Sequence, residues 1–140
     1  MSTAILWPTF ALVALIFAVV LTMAIMRFGY IRSTKPKLAD FATTAAQKAY
    51  FAPVDSAANN LANLFELPVL YFALIPLLLL FRDASHVQVA LAWVFVALRA
   101  THSIIHVTNR PAIARFRAYL GSCVVLSAMW IGFALDVATT

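Results

Sequence analysis

Four apolar runs, at residues 5–26, 57–81, 87–107 and 118–135, limit what this chain can fold into. Each is close to the ~20 residues a helix needs to cross a bilayer core. Inside that core every backbone polar group must be satisfied within its own segment, which leaves helices as the reading of such runs. Composition agrees: 64% of the residues are hydrophobic and 11% charged, against about a quarter charged in soluble domains. The expected fold class is all-α, an integral membrane four-helix bundle running up-down-up-down, with helices over about 5–28, 55–81, 86–108 and 114–137 of a single 1–140 domain. A cleaved signal peptide is the competing reading of the first run. No Lys or Arg precedes that run, and it exceeds the ~7–15 residues of a signal core.

Charge sets the expected topology. The net charge of +5 rests on too few charged residues to build a solvated basic face, so no nucleic-acid partner is expected. Eight of the ten Lys and Arg fall in the first and third connections, which lie on one side of a four-helix chain. The positive-inside rule makes that side cytoplasmic and puts both termini on the other face of the membrane. The second connection, residues 82–86, fits only a tight hairpin, so helices two and three are expected to be neighbours. Asp55 or Ser56 is the natural N-cap of helix two, and Gly121, Ser122 and Ser127 offer helix four small residues for close packing. The single Cys123 excludes an intramolecular disulfide.

The informative residues are polar ones inside the apolar runs, because an ionisable group there is costly and normally faces a partner or a water-filled cavity. On helix two, Asn59, Asn63 and Glu66 fall within about 60° of one another at helical spacing. On helix three, Arg99, His102, Ser103, His106 and Arg110 share a face within roughly 100°. Glu66 lies about 14 Å from the cytoplasmic start of its helix and Arg99 about 12 Å from the matching end of its own. The two are therefore expected to pair, with Asn63 level with His102 and Asn59 with His106, as a ladder opening toward the basic connections. Pro68 is expected to free the Leu64 carbonyl and bend helix two beside Glu66, and Pro76 to do the same for Phe72. Arg27 closes helix one at the level of this mouth, within reach of a ligand. The bland alternative is a polar clamp that holds the helices together.

The run Asn63-Leu64-Phe65-Glu66-Leu67-Pro68 on the second helix, followed on the third by Arg99, His102 and His106, resembles the MAPEG family, the membrane-associated proteins in eicosanoid and glutathione metabolism, and in particular its bacterial members. The resemblance covers nearly the whole chain in helix count, loop lengths and charge topology. It implies a homotrimer with glutathione bound between subunits near the cytoplasmic side. Asn63 and Glu66 match the family positions that hold the glutathione backbone, and Arg99 matches an arginine at the base of that site. The chain departs from the glutathione-using enzymes in three places. Asn59 stands where they have an arginine, His102 and His106 where they have tyrosines, and Ile113 where they have the thiolate-stabilising arginine, flanked here by Arg110 and Arg115.

Two functions follow from this pattern. One is a glutathione-dependent transferase or peroxidase acting on a hydrophobic small-molecule substrate drawn from the membrane lipids. Glutathione would be bound by Asn59, Asn63, Glu66, Arg99, His102, His106 and Arg27, with Arg110 or Arg115 stabilising its thiolate and His106 or His102 taking the thiol proton. The other is a non-catalytic binding or structural protein that has kept the fold and lost the chemistry. No metal is expected, since His102 and His106 with one Glu make a sparse ligand set.

Overall fold

The structure, a computed structural model, describes residues 3–81, 84–108 and 111–139. Among the described residues four helices are long and apolar enough to span a membrane, over Thr3–Thr34, Ser56–Leu80, His86–Val107 and Ala112–Thr139. The chain is thus an all-α integral membrane protein in contact with lipid. Helix α1 (Leu6–Thr34) continues past Arg27 until Lys35 turns left-handed, at φ 49°, and returns its N–H to the Ile31 carbonyl. The first connection contains a short helix, α2 (Thr44–Phe51), that periodicity over eight residues did not disclose. The Thr43 hydroxyl caps α2 by accepting the Ala46 N–H at 3.1 Å.

The second span is two helices, α3 (Ser56–Leu64) and α4 (Leu67–Leu80). The break falls at Phe65 and Glu66, with Glu66 at φ −88°, ψ −92°, which corrects the expected bend inside a continuous helix. Pro68 takes a first-turn position of α4, where its missing N–H costs nothing. Pro76, by contrast, is accommodated inside α4. Asp55 occupies the N-cap position of α3 but makes no side-chain cap, because its carboxylate pairs with Arg27 of α1 at 2.8 Å. A charge-assisted contact outcompetes a neutral backbone donor.

Helices α5 (His86–Val107) and α6 (Ala112–Thr139) pack most closely. Gly121 permits this approach, since a Cβ there would stand 3.3 Å from a methyl of Leu98. Farther along the same pair, the buried Gln88 side chain donates to the Met129 carbonyl at 3.1 Å. The core gathers Leu12 of α1, Tyr71 and Leu74 of α4, Phe95 of α5, and Leu126 and Met129 of α6. Tyr71 stacks on Phe95 with ring centroids 5.0 Å apart, and its hydroxyl shares a 3.1 Å hydrogen bond with Thr9. Tyr71→Phe should therefore destabilise the bundle by about 1 kcal/mol, measurable by unfolding in mixed micelles. A loss above 3 kcal/mol would mean that the hydroxyl has another role.

Candidate functional site

The break in the second span sets the site. Where α3 ends, the Asn63 carbonyl lacks a full helical donor, and the Arg99 guanidinium reaches across from α5 to supply one. Its Nη2 donates to the Asn63 carbonyl at 3.0 Å and to the Asn63 side-chain oxygen at 2.9 Å. The Asn63 amide nitrogen in turn donates to Glu66 at 3.1 Å. The expected direct Glu66–Arg99 pair is thus corrected to a relay in which one amide stands between cation and anion. The helix break is the reason: it carries Glu66 to an exposed position on the outside of the bundle, while Arg99 stays wholly buried. Arg99 Nε and Nη1 are buried with no hydrogen-bond partner among the described residues, and its guanidinium lies 5.6 Å from the Tyr119 ring centre.

The ladder is also shifted by one rung. Asn63 meets Arg99 and not His102, and the next contact is between Ser103 and Asn60, whose side-chain oxygen accepts the Ser103 hydroxyl at 3.3 Å. Asn60 is fully buried, whereas Asn59 faces outward. His102 turns toward α6. His102 Nδ1 lies 3.1 Å from the Arg115 carbonyl, and its ring is 5.9 Å from Tyr119. A carbonyl oxygen can only accept, so Nδ1 carries the hydrogen and the neutral ring keeps its lone pair on Nε2, which is buried and unpartnered.

Asn63 and His102 line an open cleft of about 400 Å³ between α3, α5 and α6, completed by Ala112, Arg115, Phe116 and Tyr119; the buried Arg99 lies outside its wall. His106 stands one turn away, 5.7 Å from His102 between ring centres, and is not in the wall of this cleft. Ile113 is 59% exposed and also absent from the wall, which receives its α6 cation from Arg115 instead. Arg110 lies outside the described residues. Arg27 and Asn59 are not at this cleft; they line a separate one with Lys48 and Asp55. Sequence reasoning misses Tyr119, and it gives Asp55 the part of an N-cap, not that of the partner of Arg27. Tyr119 carried a signal, being one helical turn after Arg115 and a polar tip within an apolar span. Among the described residues no group of three His, Cys, Asp or Glu comes together.

Fold and site together define an integral membrane four-helix protein with a cationic cleft at a broken second helix. The MAPEG family model matches residues 5–135, and the chain belongs to that family. Nothing among curated proteins or solved structures matches it.

Proposed function

We propose that this single-domain protein binds glutathione in the Asn63–His102–Arg115–Tyr119 cleft and uses it as a transferase or peroxidase on lipophilic electrophiles. The reading places the protein in a bacterial inner membrane, as a homotrimer with the basic connections cytoplasmic and the termini opposite. One observation carries it: Arg115, His102 and Tyr119 line one cleft with Asn63, whose amide ties the cleft to an exposed carboxylate. The Arg115 guanidinium suits a carboxylate of an acidic tripeptide, and Glu66 suits its ammonium group. A second subunit over this face would also cover Glu66, whose carboxylate is otherwise exposed along a membrane span.

Glutathione, when bound, supplies a sulfur nucleophile. The chain's part is to make a thiolate available at neutral pH. His102 Nε2 is oriented to accept the thiol proton, because the Arg115 carbonyl fixes its ring from the other side. Arg115 acts as a fixed positive charge near the sulfur. It thereby takes the place of the cation that Ile113 does not provide.

In detergent, millimolar glutathione should raise the thermal stability of the purified protein. Glu66→Gln and Arg115→Ala should each weaken binding about tenfold or more, as expected for a lost charge-assisted bond of ~1.5–3 kcal/mol. No stabilisation by glutathione would overturn this reading. Stabilisation without conjugation or peroxidase activity would favour the non-catalytic binding protein.

A further inference from the structure

Sequence spacing grouped Arg27 and Asn59 with the Arg99 ladder, but the fold gives them a cleft of their own. It has a volume of about 260 Å³ and lies between the end of α1, the short helix α2 and the start of α3. Its polar walls are Arg27, Thr44, Gln47, Lys48, Asp55 and Asn59, with Phe51 and Ala58 completing it. Arg27 is held rigidly, its guanidinium 4.6 Å from the Phe51 ring centre and its Nη2 on Asp55, while its Nε is buried with no partner. Such a donor calls for an acceptor. The side chains of Thr44, Gln47, Lys48 and Asn59 likewise make no hydrogen bond to the described residues, so several donors and two cations face one carboxylate.

Its surroundings indicate where an acceptor would come from. Tyr30, Phe41, Tyr50 and Phe51 form a continuous aromatic cluster with neighbouring ring centres 5.0–6.0 Å apart, and the Tyr50 hydroxyl is hydrogen-bonded to Thr34 at the end of α1. Aromatic clusters at the end of a membrane span mark the head-group level. Phe28, Leu38 and Phe41 are exposed around it, and Arg32, Lys35 and Lys37 add positive charge nearby. The cleft thus opens at the depth of lipid phosphates, beside apolar surface that acyl chains can cover.

We propose that the Arg27–Lys48–Asn59 cleft binds the phosphate of an anionic phospholipid. Asp55 cancels one of the two cations, leaving a surplus of one positive charge. A phosphodiester carries one negative charge and so matches that surplus, whereas a phosphomonoester dianion exceeds it. The Arg27 guanidinium and Lys48 contact the phosphate oxygens, and the Asn59 and Gln47 amides accept from or donate to the head-group hydroxyls. The volume holds a head group and leaves the acyl chains in the bilayer. This site is independent of glutathione binding in the other cleft.

The test uses the delipidated protein in neutral detergent, with phosphatidylglycerol, phosphatidylcholine and inorganic phosphate as probes, read by native mass spectrometry and thermal shift. Phosphatidylglycerol should bind about fivefold or more tightly than phosphatidylcholine, the effect of one well-placed cation. In Lys48→Gln and in Asn59→Leu that preference should fall to within about twofold. Both substitutions are at exposed positions, so the melting temperature without lipid serves as the folding control. Equal binding of the two lipids, or an unchanged preference in both variants, would overturn the proposal. Stabilisation by inorganic phosphate but not by phosphatidylglycerol would overturn it in favour of a free anion. Displacement of phosphatidylglycerol by glutathione would overturn the independence of the two clefts.

Discussion

Replacing His102 by Ala should slow glutathione conjugation by about 10²–10⁴-fold, the usual contribution of a general base, while glutathione affinity changes only a few-fold. The expectation rests on the asymmetry of the ring. Nδ1 is committed to the Arg115 carbonyl at 3.1 Å, and Nε2 is the buried nitrogen left without a partner in a side chain that lines the cleft. His106→Ala should cost much less, because that ring lies outside the wall of the cleft. Added imidazole should restore part of the activity of His102→Ala, entering the space vacated by the side chain. A purely structural His102 would show no rescue and would lose binding together with turnover. Unimpaired turnover in His102→Ala would move the proton acceptor to another group, with the Tyr119 hydroxyl the first to examine.

The helical spans and the polar faces were legible because each rests on a local pattern. A run of apolar residues near the bilayer length identifies a span, and residues three and four apart share a helix face wherever that helix packs. Placing Asn63 and Arg99 on facing helices followed from these rules alone. The pairing within the ladder did not, since depth counting assumes straight helices of uniform rise. The break at Phe65 and Glu66 violates that assumption and turns Glu66 outward, leaving Asn63, the last polar residue before it, to meet Arg99. Tyr119 and Asp55 were hidden for a different reason. Each acts through a contact made by tertiary packing, Tyr119 with Arg99 and Asp55 with Arg27, and no sequence period reports on such contacts. The separation of Arg27 and Asn59 from the Arg99 cleft also required α2, whose eight residues show no strong periodicity.

Asn63→Leu should destabilise the folded protein by about 3 kcal/mol, at the lower end of the cost of breaking a buried charged interaction. Arg99 is fully buried, and Asn63 provides both of its hydrogen-bond acceptors among the described residues. Leucine removes the side-chain acceptor and disconnects Glu66, while the backbone carbonyl goes on accepting from Nη2 and limits the loss. Polar contacts between membrane helices average ~0.6 kcal/mol, so magnitude separates two explanations. A loss near that average would mean that Asn63 and Arg99 form an ordinary interhelical hydrogen bond. A loss near 3 kcal/mol would mean that Asn63 is what makes a buried cation tolerable. The double variant Asn63→Leu with Arg99→Met decides further, because it removes the cation along with its acceptor. Its stability should return to within about 1 kcal/mol of the parent, as expected when both members of a buried polar interaction are replaced by apolar groups of similar size. Unfolding in mixed micelles gives all three values, and the double variant should no longer bind glutathione. Recovered stability with lost binding would separate the two roles of the pair: the polar relay is kept for the ligand, and the fold would be at least as secure without it.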